Sequence, residues 1–249
     1  MREMIEIGGI KLHLYGLFIG LGIWAASEAG FRLSKKRKIK EKTFNQLLIW
    51  VVINGVLGTR LYHVIEYWDY YQQNLSAIPK IWEGGLGIWG GFITGVLTIL
   101  IFHQIKKKKE KTKLTDLLDM VTIGVPLGQA IGRWGNFFNK ELYGKVTSLP
   151  WGWYIEETGK KHHPLFLYES ILNLALFLIL WQTSKKKKTK SGEITAMYLM
   201  GYGVIRFCLE WLRPEEIWWK VQGVPVAAIL GLISFSLGLI FYIKNRNLN

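Results

Sequence analysis

The chain reads as an all-α polytopic membrane protein: seven transmembrane helices with a small extracytoplasmic cap. Two observations carry that expectation. In 249 residues that are 50% hydrophobic, seven apolar stretches approach the roughly 20 residues that a hydrocarbon core about 30 Å thick demands at helical rise. The charge is also segregated, because most of the 32 Lys and Arg stand in short runs between those stretches. A composition half hydrophobic and 14% aromatic excludes a disordered chain. The single Cys excludes a disulfide scaffold and a Cys-based zinc finger. A net charge of +14 would suit nucleic acid on a soluble face. Here the lysine runs read as topology signals lying against anionic lipid, and no nucleic-acid partner is expected.

The expected spans cover residues 12–31, 44–65, 86–102, 117–132, 165–181, 194–212 and 224–243. The first opens on His13 and Tyr15 near its outer boundary, where such residues commonly anchor at the interface. It has no basic region before it and a basic run after it, so it reads as a retained span rather than a cleaved signal peptide. The second holds Asn54 and Arg60, with His63 and Glu66 near its outer end; the simplest reading of Arg60 is snorkelling. The third opens on GGLGIWGG at 84–91, small residues spaced for close helix packing. The fourth is short, contains Pro126 and starts among Asp116 and Asp119. In the fifth, Glu169 and Asn173 share a face as candidate interhelical hydrogen-bonding partners, beside Tyr168. The sixth carries Tyr202, Arg206 and Glu210 at intervals of four and Arg213 three further on, all on one helical face. Cys208 reads there as a small core residue. The seventh is apolar throughout and runs into Lys244 and Arg246.

Orientation follows from Lys and Arg. Alternate connections and the C-terminal end hold twenty of them, Lys111 among these; the opposite side holds nine, from Arg2 to Lys220; Arg60, Arg133 and Arg206 lie within spans. The expectation is an N-terminus outside and a C-terminus in the cytoplasm, within a single integral membrane domain of residues 1–249. The longest outer connection, 134–164, carries turn residues around short aromatic runs, the pattern of a small head with some strand.

An ionisable group within a span costs several kcal/mol unless paired or hydrated, so each one is a functional suspect. Glu210 can simply neutralise Arg206, and still leave Tyr202 and most Arg donors available. The segment at 132–144, GRWGNFFNKELYG, sets an Arg, two Asn and a Glu where a helix should leave the membrane. Irregular polar backbone at that depth is tolerated only when buried in protein or lining a wet cavity.

GRWGNFFNKELYG resembles the signature of the prolipoprotein diacylglyceryl transferases of bacterial membranes. The resemblance extends over nearly the whole chain, through HLYGLFIGLG, GTRLYHVIEYWDYY, IWEGGLGIWGG, HHPLFLYES and GYGVIRFCLEWLR. It implies transfer of a diacylglyceryl group from phosphatidylglycerol to the lipobox Cys of a preprolipoprotein, giving a thioether-linked lipid and glycerol phosphate. It implies the bacterial cytoplasmic membrane as location, and as partners phosphatidylglycerol, the signal peptide bearing the lipobox Cys, and membrane lipids. No cofactor is expected. Residue by residue, Arg133 and Arg206 match the family's essential arginines, and Asn136, Asn139, Glu141 and Gly144 match its signature. Tyr15 matches a functional tyrosine and His13 the histidine just before it, while Tyr202 and Glu210 match functional positions of the sixth span. One departure stands out: many members carry His before the Gly pair of the third span, proposed as a base, and this chain has Trp89.

The chemistry is reasonable from the residues alone. A thiol must displace a phosphate ester at a glycerol carbon, and the leaving group is poor unless its growing charge is neutralised. Arg is planar, always charged and able to grip phosphate oxygens bidentately. Arg133 and Arg206 are the candidate clamp, with Asn136 and Asn139 orienting the head group. A free thiol is only a few per cent thiolate at neutral pH; His13, Glu141 or the field of the Arg pair could raise that fraction, and the sequence does not choose among them. No carboxylate cluster suggests a two-metal site. A transporter would set its polar groups at the midplane, often with repeats, whereas here they crowd toward the outer leaflet. A non-catalytic scaffold has only Trp89 in its favour.

Overall fold

The computed structural model describes residues 4–7, 10–110 and 112–247, so Arg2 and Lys111 lie outside the described residues. The chain falls into two compact units, one of Ser34–Leu118 and one drawn from Met1–Leu33 and Asp119–Asn249.

The larger unit begins with the hairpin β1 (Met4–Ile7) and β2 (Ile10–His13), antiparallel with Met4 opposite His13. Helix α1 (Leu14–Lys36) follows directly. It starts two residues later than the hydropathy suggests, because 12 and 13 belong to β2, and its last turn carries Lys35 and Lys36 beyond the apolar stretch.

In Ser34–Leu118, α2 (Glu41–Glu66) and α4 (Ile88–Glu110) pack together, linked by a connection that includes the single turn α3 (Trp68–Tyr71). The glycine-rich opening of α4 is the contact surface, as its small residues suggested. A Cβ on Gly91 would stand 2.7 Å from Thr59 Cγ2, and Gly58 and Gly90 each face the other's backbone. Ile53, Leu57, Leu61 and Ile65 are each more than half exposed along one face of α2, an arrangement suited to lipid and costly in water. Arg60 does not snorkel. It is buried, and donates to the carbonyl oxygens of Ala77 (2.6 Å), Ile78 (2.8 Å), Gly84 (2.7 Å) and Gly85 (3.1 Å). Five fixed N–H groups can collect several carbonyls at once, so this arginine folds its own connection.

The fourth expected span is two helices, α5 (Leu114–Thr122) and α6 (Val125–Phe138). Pro126 explains the break: proline lacks a donor and is tolerated only in a first helical turn, which is where it stands in α6. Helix α6 then runs six residues beyond the expected boundary, through the polar signature. Asp119, which weakened this stretch as a span, is fully buried and caps α8 (Glu193–Glu210). Its Oδ2 accepts from the Gly192 N–H (2.8 Å), and its Oδ1 from the Thr195 N–H (2.9 Å) and hydroxyl (2.7 Å). Those are orphan donors of a helix start whose own N-cap side chain supplies nothing.

The rest of the larger unit is α7 (Leu165–Lys185), α8 and α9 (Val226–Asn247). Two further hairpins stand in the connections: β3 (Trp153–Ile155) with β4 (Lys160–His162) between α6 and α7, and β5 (Lys220–Val221) with β6 (Val224–Pro225) between α8 and α9. Helices cross closely through glycine. A Cβ on Gly22 of α1 would lie 2.9 Å from the Gly128 oxygen of α6, and one on Gly203 of α8 would lie 2.6 Å from the Gly231 oxygen of α9. Close backbone approach of this kind drives association where lipid leaves no hydrophobic difference to exploit. The apolar core joins Leu176 and Leu180 of α7 to Ile194, Ile205 and Leu209 of α8, with Ala29, Leu33 and Ile123. Cys208 is exposed rather than part of it.

Among the described residues, six helical stretches are long and apolar enough to cross a membrane: Leu14–Lys36, Glu41–Glu66, Ile88–Lys108, Leu114–Phe138, Leu165–Lys185 and Val226–Arg246. The remaining expected span, α8, is helical over 18 residues but carries Glu193, Arg206 and Glu210.

Candidate active site

The polar signature folds into a helix C-terminus with a specific geometry. Helix α6 ends in a Schellman motif: the Lys140 N–H bonds the Phe137 oxygen (3.2 Å), and the Glu141 N–H bonds the Asn136 oxygen (3.0 Å). The reversal needs a left-handed residue, usually glycine; here Lys140 takes it, with φ 53°. Its ammonium pairs with Glu156 (3.0 Å) and Glu157 (3.7 Å) in the following hairpin turn. That pairing holds the Glu156 carboxyl below its ordinary range and lifts the Lys140 ammonium above its own.

The turn folds Glu141 back over the last turn of α6. Its Oε1 accepts from Asn136 Nδ2 (2.7 Å) and Asn139 Nδ2 (3.3 Å). With its amide N committed to Glu141, Asn136 presents Oδ1 to Arg133 Nη1 (3.1 Å). Arg133 Nη2 donates across to Oε1 of Glu169 on α7 at 2.5 Å. One chain of hydrogen bonds thus runs from Glu169 through Arg133 and Asn136 to Glu141 and Asn139. Tyr15 on α1 lies against Gly135, where a Cβ would stand 2.8 Å from its ring, and within electrostatic reach of Glu141 and Arg133.

The second half of the site is on α8. Arg206 Nη2 pairs with Glu210 Oε2 at 2.7 Å, and Arg213 Nη1 donates to the same oxygen at 3.3 Å. Two guanidinium groups on one carboxylate leave one positive charge over. Glu210 is 2% exposed, so the cost of burying its charge is met by both partners. Tyr202 stands between the halves, within electrostatic reach of Arg133, Arg206 and Glu169. Tyr198 stacks on it at 5.7 Å.

Gly144 sets the two halves in register. Its N–H bonds the His163 oxygen (2.8 Å), its carbonyl accepts from His162 Nδ1 (2.7 Å), and the next N–H, of Lys145, bonds the Leu212 oxygen at the end of α8 (2.7 Å). A Cβ on Gly144 would stand 2.7 Å from both the Leu212 oxygen and His163 Cβ. The connection after α6 is thereby stitched to the end of α8.

The structure brings Tyr15, Arg133, Asn136, Asn139, Glu141, Tyr202, Arg206 and Glu210 into this linked set, with Gly144 as its backbone fastener. His13 is exposed at the end of β2, and among the described residues no hydrogen bond or ion pair joins its ring to the set. Trp89 begins α4 and is 42% exposed. Two participants were not assigned from sequence. Glu169 makes the interhelical hydrogen bond expected of it, to Arg133, though no site role was assigned to it; Asn173 instead donates its amide N–H within α7, to the Glu169 backbone oxygen (2.9 Å). Arg213 shared the face of Glu210, three residues on, and joins it as an ion pair.

The model of the prolipoprotein diacylglyceryl transferase family matches residues 2–244. A phosphatidylglycerol–prolipoprotein diacylglyceryl transferase of Finegoldia magna is 39% identical over 98% of this chain and 96% of its own length. Proteins of the same name from Fervidobacterium nodosum and Listeria innocua are 37% and 36% identical, over 97% and 96% of this chain and 84% and 88% of their own lengths. Likeness of that extent, with the polar signature lying inside the matched region, means that the chain belongs to the prolipoprotein diacylglyceryl transferase family.

Proposed function

We propose that this protein transfers the diacylglyceryl group of phosphatidylglycerol to the lipobox cysteine thiol of a preprolipoprotein, the first step of lipoprotein maturation. The observation that supports it most is that Arg133 of α6 and Arg206 of α8 both lie within electrostatic reach of Tyr202, while the Lys145 N–H ties the connection after α6 to the Leu212 oxygen just past α8 at 2.7 Å, so guanidinium groups from two helices flank one site. A phosphodiester in that position is held by planar donors suited to its oxygens. The substrate sulfur forms the C–S bond at the glycerol carbon as the C–O bond to phosphate breaks. The thiol proton leaves to a base or to water, and glycerol phosphate departs with one more negative charge. The positive charge left over by Arg206, Glu210 and Arg213 is the fixed partner of that developing charge, and a preorganised partner in a water-poor site can be a dominant catalytic effect. Asn136 and Asn139, oriented by Glu141, direct the head group, and Gly144 keeps the two halves in register. Tyr15, packed on Gly135 of α6, adjoins the Arg133 side of the site. Glu141 and His13 are the candidate bases; a shift in the pH profile of Glu141→Gln or of His13→Gln tells them apart.

For this reaction α8 also crosses the membrane, which makes seven spans, and all 249 residues form one integral membrane domain. The N-terminus lies outside and the C-terminus in the cytoplasm, as the lysine runs ask. Residues 134–164 form a small extracytoplasmic head, and the site faces the outer leaflet of the bacterial cytoplasmic membrane. The test is purified protein with acyl-labelled phosphatidylglycerol and a lipobox peptide. Label bound through a thioether to the peptide, absent when its Cys is Ser, supports the reading; lipid uptake into vesicles without transfer, or neither, defeats it.

A further inference from the structure

The partners of Arg133 differ in what they can fix. Asn136 is one turn away on the same helix and moves with it. Glu169 is on α7, 6% exposed, and its oxygen stands 2.5 Å from Nη2. Helix α7 is itself fastened to α6 beside this pair, where the Ser170 hydroxyl donates to the Ala130 oxygen at 2.8 Å. With Nη1 on Asn136 and Nη2 on Glu169, the plane of the guanidinium is set from two sides, because the donors form a rigid fork. Nε is buried with no partner among the described residues, so nothing there fixes the plane.

We infer that Glu169 is the positioning residue for Arg133, acting on the reaction only through the orientation of that side chain. The inference rests on the reading of Arg133 as half of a phosphate clamp. Charge divides the labour further. Arg133 is matched one to one by Glu169, whereas Arg206 and Arg213 share Glu210 and leave a charge over. Collecting an anionic head group therefore falls mainly to Arg206 and Arg213, at the end of α8 and in the turn after it, and orienting it to Arg133. Loss of Glu169 affects turnover more than lipid affinity.

The test compares full-length wild-type protein with Glu169→Gln and Glu169→Asp in detergent, reading kcat and KM for phosphatidylglycerol together with Tm. In Glu169→Gln, kcat is expected to fall roughly 10- to 100-fold with KM changed less than about threefold, the signature of lost geometry rather than lost binding. Glu169→Asp keeps the charge with a shorter reach and is expected between that variant and wild type. A kcat for Glu169→Gln within about twofold of wild type overturns the inference, as does a loss carried mainly by KM. If Glu169→Gln does not fold, Glu169→Asp decides: wild-type kcat overturns the inference, and a lowered kcat at unchanged KM and Tm supports it. No transfer by the wild-type protein defeats the transferase reading and this one with it. Wild-type transfer with undiminished Glu169→Gln turnover defeats the role of Glu169 alone.

Discussion

Asn136 and Glu141 hold each other twice. The Glu141 N–H donates to the Asn136 carbonyl oxygen at 3.0 Å, and Asn136 Nδ2 donates to Glu141 Oε1 at 2.7 Å. Backbone and side chain thus use one turn to orient an amide whose other end accepts from Arg133. Replacing Asn136 with Ala leaves Nη1 of the half-buried Arg133 without that acceptor. The expected cost is about 1–3 kcal/mol of stability, with loss of most transfer activity. Tm and label transfer on the same preparation check both.

Gly144→Ala should be more damaging than its size suggests. The added methyl meets a backbone oxygen at the end of α8 and the His163 side chain, and backbone yields less easily than a flexible side chain. Overpacking of this kind costs about 1–3 kcal/mol, and separation of the two halves should lower turnover at least tenfold, a loss of the size that misplacement by about 1 Å produces. Equal turnover by folded Gly144→Ala protein would refute the stitching role.

The two arginines on Glu210 should not be equivalent. Arg206→Ala is expected to abolish lipidation, as is Arg133→Ala. Arg213→Ala should raise KM for phosphatidylglycerol more than it lowers kcat, because it removes the surplus charge but leaves the Arg206 pair to Glu210 intact. Trp89→Ala should only weaken transfer. Steady-state kinetics on the four variants orders them.

Arg60→Ala should loosen residues 72–87 without touching the proposed chemistry directly. It strands the carbonyls of Ala77, Ile78, Gly84 and Gly85, each costly if left unpaired in a buried place. Arg60→Lys should not restore the wild-type state, since one compact ammonium cannot reproduce the fork. Limited proteolysis of that connection is the readout.

The Lys140 pairs make a pH prediction with a defined sign. The lowered Glu156 value means that its contribution is present above the ordinary carboxylate range and is lost as pH falls through the lowered value. The raised Lys140 value means a contribution present below the ordinary lysine range and lost as pH rises through the raised one. Between those limits the pair is constant. The Tm of Glu156→Gln should sit slightly below wild type at neutral pH, as for any exposed pair, and converge with it in strong acid.

Much of this molecule was legible before any coordinate. Apolar runs of bilayer length marked six of the helical stretches that can cross a membrane, because helical rise and membrane thickness are fixed quantities. Tyr202, Arg206 and Glu210 share a face of α8 by helical spacing alone, and the pairing of Glu210 with Arg206 follows from it; Arg213, expected on the same face, stands in the turn after α8 and still reaches Glu210. The hairpin at 153–162 stands where turn residues flanked aromatic runs. Pro126 signalled an irregular fourth stretch, though not that Asp119 beside the break would cap another helix.

Contacts between residues distant along the chain were not legible in the same way. Glu169 with Arg133, Gly144 with Leu212, and Arg60 with the carbonyls of its own connection all required the folded chain. The physical reason lies in the solvent. In water an apolar stripe tells a helix which way to face, but lipid is as apolar as the neighbouring helix, so hydropathy gives each span a length and no rotation. Facing is settled by glycines that admit a second backbone and by buried charges that must meet a partner, and both are properties of pairs.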